Sequence, residues 1–535
     1  MTASLRLQIL FVLQWMGLAI VLTALSFSNF FISFGTFWLV GVWALSLING
    51  YFSGELIQDR FRSFFKDKAL WMPSLIFLLP LIGLLWTDDF KFASWDLRIK
   101  VPLLFTPLLL GTLPALSQKA LEYLLRYFVF TLVVAVCLCL AVYAGVWKKE
   151  VVNIRDISVF ISHIRFSMLL VFGIALIVHR WLMHGKFVFV SAAVVAFFLV
   201  FLWILESITG FVLIAGWLAV LILYYALHAK QNWVRYGIPL LFVLSISGVV
   251  VYINECYKDY FSAEPLDVSI LESYSARGNR YDHYVENRQL ENGHYIMTYI
   301  CWPELKEEWE KKSEVPFEGM DVKGNEVKWT LIRYLTSMGE RKDAEGMMKL
   351  SQDDVLNIEK GIPSYKYFST SGIRRRIDKV FFELDNYRNG GSPNGHSVFQ
   401  RLEFWSVGTF IFTSNPWSGV GTGDLKKSFS EAYVETGSRL NEKNRLRAHN
   451  QYLTFFITYG IVGGLLFLFL FFYPLLADVH LRKNALYLAF IVICVMSFIS
   501  EDTLETQVGV TFYIFLHSFL IRFYHREQVL RNDEV

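Results

Sequence analysis

Charge is what this chain has least of. Only 18% of its 535 residues are Asp, Glu, Lys or Arg, against 54% hydrophobic and 17% aromatic. A soluble chain this apolar cannot cover its surface with polar groups, which excludes an ordinary globular protein. A cleavage site is also missing: no small-residue motif follows the first apolar run after Met1–Arg6, and an equally apolar run begins directly behind it. That first run is therefore expected to stay as a helix rather than to be removed as a signal. Inverted repeats and charges in the middle of the apolar runs, the marks of a transporter, are absent by eye. Cysteine is scarce. Cys137, Cys139 and Cys494 fall inside apolar runs and suit packing. Cys256 and Cys301 fall in a polar stretch, where a disulfide and two free thiols are both open.

What is present is a series of apolar runs of roughly 17 to 25 residues, the length at which a helix crosses a bilayer. In lipid every backbone amide is satisfied within its own segment, so such runs are helices. We place about twelve spans near Leu7–Leu25, Phe30–Ile48, Leu70–Trp86, Val101–Leu116, Leu124–Val146, Ile164–Met183, Phe187–Leu205, Ile208–Leu227, Tyr236–Ile253, Tyr452–Leu476, Ala485–Ile499 and Val508–Phe523. The expected fold is all-α and polytopic. It divides into residues 1–253 with nine spans, a polar insert over 254–451, and residues 452–535 with the last three spans and a tail.

The small net charge of +3 hides an ordered distribution. Arg60, Arg62, Lys66 and Lys68 lie in one connection, Arg180 and Lys186, Lys230 and Arg235, and Arg482 and Lys483 in others of the same set, and Arg522, Arg526 and Arg531 close the tail. Asp88, Asp89 and Asp96, then Glu206, then Glu501, Asp502 and Glu505, mark the alternate connections. Basic loops stay cytoplasmic, so both termini are expected inside and the insert outside. Within the insert, Pro303–Lys312, Asp353–Ile362 and Ile373–Leu384 have helical periodicity, the last headed by Arg374, Arg375 and Arg376. The stretch Asn386–Asn394 is expected to turn.

Four clusters of chemistry-bearing residues gather at the acidic, outer level, where ionisable groups usually mark a polar cavity. Arg445-Leu446-Arg447-Ala448-His449-Asn450-Gln451 brings an imidazole and guanidinium groups to the point where the chain re-enters the membrane. Histidine titrates near neutrality and suits proton transfer; a His-Asn pair that merely caps the helix is the plainer alternative. Ser397–Trp405, with Arg401, leads to Asn415-Pro416 and Gly419-Val420-Gly421-Thr422-Gly423. Those glycines make either an anion nest or a tight turn. Ser162-His163-Ile164-Arg165 sets a planar fork at the start of a span, fit for a phosphate or simply snorkelling to the interface. Glu501, Asp502 and Glu505 either hold a divalent cation, neutralise arginines or decorate a loop. No Asp-x-Asp pair strengthens the metal reading, and no metal or cofactor is expected.

The run Arg447–Leu453 with Gly460 and Gly463, preceded by Asn415-Pro416 and the Gly419–Gly423 stretch, resembles the O-antigen ligase and polymerase superfamily. Ser397–Trp405 and Glu501-Asp502 with Glu505-Thr506-Gln507 look like its Bacteroidetes-type branch. Many members carry Ser-Arg-Gly near the outer end of a middle span, whereas this chain has Glu206-Ser207-Ile208-Thr209-Gly210 and no arginine.

The resemblance implies a GT-C-like fold in the bacterial inner membrane and metal-independent, inverting glycosyl transfer on its periplasmic side. The donor would be an undecaprenyl-pyrophosphate-linked glycan and the acceptor a lipid A–core sugar or another glycan. Membrane lipid surrounds the protein and no nucleic acid takes part. In these terms His449 is the general base, Arg401 and Arg165 bind the pyrophosphate, and Arg447, His163, Asn450, Gly421 and Gly423 are candidate substrate contacts. A polymerase and a protein O-oligosaccharyltransferase are the alternatives inside the superfamily. A lipid-linked sugar transporter and a non-catalytic scaffold are the alternatives outside it.

Overall fold

A computed structural model describes residues 3–54, 56–147, 154–184, 188–369 and 372–525. The described residues are almost entirely helical, with one two-stranded hairpin pairing Leu290–Glu291 with His294–Tyr295. Eight helices are long and apolar enough to cross a membrane, and Phe189–Ile204, Ala485–Ser500 and Gln507–Phe523 are shorter apolar ones. The helix Phe90–Thr112 carries Lys91, Asp96, Arg98 and Lys100 in its first half, and Pro102 and Pro107 in its apolar second half. Each expected span coincides with helical structure, and the protein is an all-α, multi-pass membrane protein.

The chain divides into two compact units. The first comprises residues 1–239, 403–438 and 442–535; the second comprises 240–402 and 439–441. The segment 403–438 thus groups with the membrane helices rather than with the bulk of the polar insert.

In the first unit, paired helices Ala3–Phe27 and Asn29–Phe52 pack through Gly17 and Gly35, where an added Cβ would strike Leu39 and Val21. The expected span Leu70–Trp86 is not one regular helix. It alternates short α and 3-10 pieces over 68–86, because Pro73 and Pro80 each lack an amide donor and clash with the preceding turn. The carbonyl groups freed there are satisfied from a distant loop: the Thr422 hydroxyl donates to Pro80 O at 2.8 Å, and the Thr422 amide to Gly83 O at 3.4 Å.

The helix Gln451–Ala477 is broken at Gly460, whose φ of 67° only glycine adopts freely. The backbone groups released by the break pair with the 415–423 loop. Ile461 N donates to Pro416 O at 2.8 Å, Val420 N to Ile457 O at 3.0 Å and Gly421 N to Thr458 O at 3.0 Å. Broken helices persist at membrane depth only when protein satisfies their amides, and this loop does so.

The second unit has its own core. Leu305, Trp309, Leu331, Leu335, Met347 and Ile358 pack together from the helices Trp302–Lys312, Val327–Ser337, Ala344–Met348 and Gln352–Glu359. The helix Gly372–Arg388 brings Arg374 to Asp259 at 2.6 Å and Phe381 to Cys256 and Tyr260. Cys256 and Cys301 are both free and buried, which resolves their alternatives in favour of thiols. Of the expected turn Asn386–Asn394, residues 386–388 instead close the helix Gly372–Arg388, and the chain turns only from 389, where its Gly-Gly-Ser-Pro composition demands it.

Candidate active site

His449 sits in the left-handed region at φ 46°, a conformation a non-glycine residue holds only when its surroundings impose it. Asp502 imposes it here. Its carboxylate accepts the amides of His449 at 3.2 Å and Asn450 at 3.0 Å, and the Thr454 hydroxyl at 2.7 Å. Asn450 then caps the helix, its side-chain oxygen accepting Leu453 N at 3.0 Å. The capping reading of the His-Asn pair therefore accounts for Asn450, which faces the backbone rather than a substrate. It leaves the imidazole uncommitted.

That imidazole lies 5.6 Å from the Phe404 ring, tilted by 31°. Its Nδ1 is 3.7 Å from Glu501 Oε1, and Arg165 Nη2 is 3.8 Å from Glu501 Oε2. One carboxylate, 8% exposed, thus stands between an imidazole 31% exposed and a guanidinium 22% exposed. Both separations exceed hydrogen-bond reach, and Nδ1 of His449 and Nε of Arg165 are buried without a hydrogen-bond partner. Arg165 also lines an open cavity of about 370 Å³ together with His163, Arg155, Asp156, Ser158 and Ser162. Arg165 and His163 therefore share one wall, whereas His449 reaches Arg165 through Glu501.

Behind this pair lies an ion cluster that sequence reasoning missed. Lys100 is 2% exposed and bonds both oxygens of Asp96 at 2.7 Å and Glu505 at 2.9 Å. Arg447 Nη1 adds a contact to Glu505 at 3.2 Å, and Gln451 bridges the loop by donating to Glu505 at 3.2 Å and accepting Leu504 N at 2.6 Å. Burial pushes the Glu505 carboxyl up, but Lys100 and Arg447 outweigh it and hold it at about 2. The sequence signal was an Asp-Lys pair at i, i+4 ahead of an apolar run, which reads equally as a solvated helix start.

The three carboxylates of the 501–505 connection are thus divided among protein donors: Glu501 faces His449 and Arg165, Asp502 holds backbone amides, and Glu505 neutralises Lys100 and Arg447. Among the described residues no group of three or more His, Cys, Asp or Glu is arranged to hold a metal.

The glycine-rich loop has a different role from the expected nest. Gly421 N is taken by Thr458 O, and Gly423 N by Thr87 Oγ1 at 3.1 Å. Cβ atoms at Gly419, Gly423 and Gly460 would collide with the backbone of Thr458, Asp89 and Trp417. Neither Gly421 nor Gly423 presents its amide to an anion; close backbone approach is what requires these glycines. Asp424 completes the docking by accepting Asp88 N at 2.8 Å and Asp89 N at 3.1 Å.

The Glu206–Gly210 segment lies against the helix that carries Arg165. Ser207 Oγ caps its own helix through Gly210 N at 3.1 Å and meets Ser167 Oγ at 2.8 Å. Arg401 belongs to the second unit, where Nη1 donates to Ser397 O at 3.4 Å.

Residues 362–468 match the family model described as O-Antigen ligase. The match supports the O-antigen ligase and polymerase superfamily. It contains Arg401, Gly421, Gly423, Arg447, His449 and Asn450, whereas His163, Arg165 and Glu501 lie beyond it. The O-antigen ligase match supports ligase- or polymerase-type activity, without selecting a Bacteroidetes-type branch. No curated protein matches the chain.

Proposed function

We propose that this protein transfers a glycan from undecaprenyl pyrophosphate to a sugar hydroxyl of lipid A–core at the periplasmic face of the bacterial inner membrane. The observation that carries the reading is the convergence of His449 and Arg165 on Glu501, next to a cavity that Arg165 lines. The acceptor hydroxyl gives its proton to His449 Nε2 as its oxygen bonds to the anomeric carbon. The bond from that carbon to the diphosphate breaks, and its electron pair leaves with undecaprenyl pyrophosphate. Attack opposite the leaving group inverts the centre. Arg165 stabilises the developing phosphate charge with planar, charge-assisted hydrogen bonds. Its helix also packs on Ser207, the place where the family pattern has an arginine that this chain lacks. Arg401 is the second proposed phosphate ligand, resting on the family resemblance. His163 serves the donor from the cavity wall.

Arg447, held by its ion pair with Glu505 at 3.2 Å, is a further proposed donor contact.

Transfer by the purified protein from a lipid-linked donor tests the reading, and His449→Ala is expected to abolish it. Retention of full activity by that variant overturns the site. A chelator is expected to leave transfer intact, and loss on chelation overturns metal independence. Gene deletion separates the acceptors: loss of a ligase leaves lipid-linked polymer unattached, whereas loss of a polymerase leaves a single repeat unit on the core.

A further inference from the structure

Glu501 is the group that the transfer chemistry above leaves unexplained. It is nearly buried, it sits at the end of the helix Ala485–Ser500, and its two oxygens face different cations at similar distances. A carboxylate beside Nδ1 favours the tautomer with its proton there, which leaves the Nε2 lone pair for an incoming hydroxyl. It also stabilises the imidazolium that forms once that proton arrives. We propose that Glu501 is a positioning residue that sets the tautomer and basicity of His449 and ties the base to the donor-binding arginine. This rests on the reading of His449 as the general base.

The geometry assigns the two ends different jobs. Neither contact is a hydrogen bond, and both are about an ångström too long. Catalytic hydrogen bonds of this kind tighten when substrate arrives. A diphosphate in the cavity competes with Glu501 for the Arg165 guanidinium. Drawing that guanidinium toward the phosphate weakens its hold on Glu501 and leaves more of that charge to the imidazole.

The ionisable groups around this loop are Glu501 and Arg165, Asp502 beneath the His449 amide, the Arg447–Glu505–Lys100 cluster, and Glu403, which bonds Ser438 at 2.7 Å. Of these, Glu501 is the carboxylate within 4 Å of the imidazole ring.

The test is the pH profile of kcat for transfer from a lipid-linked oligosaccharide in detergent. Glu501→Gln keeps the shape and removes the charge. Its kcat is expected to fall about 100-fold, with the acidic limb moving to lower pH by about one unit. Glu501→Asp is expected to recover part of both. Should Glu501→Gln accumulate poorly, Arg165→Gln supplies the opposite displacement in the profile of kcat/KM, which reports the free enzyme: with the Arg165 charge gone, that limb moves to higher pH. An unmoved limb in whichever variant is measured overturns the assignment. His449→Ala separates the two failures, because an active His449→Ala protein sinks the transferase site itself, whereas an inactive one with an unmoved Glu501→Gln profile sinks only the positioning role.

Discussion

The two units handle charge in opposite ways. In the membrane-helix unit, cations and carboxylates are drawn into one buried, linked group, with Lys100 and Glu505 at 2% and 3% side-chain exposure. In the polar unit most pairs lie on the surface, such as Lys349 with Glu340, at 58% and 23% exposure, and Arg341 with Glu272, at 41% and 56%. A surface pair gains little, because water screens it and two long side chains must be held still. A buried pair is not a reliable source of stability either, but removing one member leaves an uncompensated charge where no water can reach it. The difference teaches that the membrane unit gathers buried charges of both signs into one linked group at its polar end, while in the insert most ion pairs lie at the surface and a buried carboxylate such as Glu304 is held by Ser275, Asn279 and the Ala344 amide.

The sharpest way to break this comparison begins at the site. His449→Ala should lower transfer by roughly 10²–10⁴-fold, the range for a positioned general base, without changing membrane insertion or elution from a sizing column. Next comes Lys100→Met, which strands Asp96 and Glu505. It is expected to cost about 3–5 kcal/mol, seen as a lowered thermal midpoint in detergent. A midpoint equal to wild type would show that these carboxylates simply take up protons. Gly460→Ala forces a side chain into positive φ against the Trp417 backbone, and is expected to lose about 1–3 kcal/mol by the same measurement.

A pH-dependent effect sharpens the contrast from the polar side. Lys342 is a buried ammonium there that donates to Tyr295 O at 3.1 Å. Burial, only partly opposed by Asp343, brings it from its ordinary 10.5 down to about 7. Between about 7 and 10.5 the unfolded chain therefore binds a proton that the folded one lacks, so this group's contribution to stability increases as pH rises through that window. It is lost as pH falls to 7, below which both forms are protonated. Stability of the wild type minus that of Lys342→Met, followed from pH 7 to 10.5, is expected to rise accordingly; a flat difference contradicts it. Smallest of all, Lys349→Ala should leave the thermal midpoint unchanged within error.

The membrane helices were legible because the bilayer sets a length that apolar runs must reach, so Leu7–Leu25 or Tyr452–Leu476 announces itself without any neighbour. The polar clusters at the helix ends were legible for the same reason, since an ionisable group at an apolar boundary stands out. His449 and Arg165 were singled out this way. What could not be read was which group answers which. Glu501, Asp502 and Glu505 looked like one acidic set, and only packing gave them three separate tasks. Asp96 looked like one more acidic group of an outer connection, whereas packing pairs it with Lys100, which Glu505 joins from the far end of the chain. The glycines of 419–423 fitted a nest or a turn, because the segments that need their missing Cβ atoms, Thr458 for Gly419 and residues 83–89 for Gly421 and Gly423, lie on other elements.

By itself, then, the sequence determined that this chain spans a membrane many times and which stretches are polar enough to carry chemistry, since both follow from local hydrophobicity. Tertiary structure alone decided that one carboxylate would stand between His449 and Arg165. Residues at 165, 449 and 501 are brought together by helix packing, and no property local to any of them encodes that meeting.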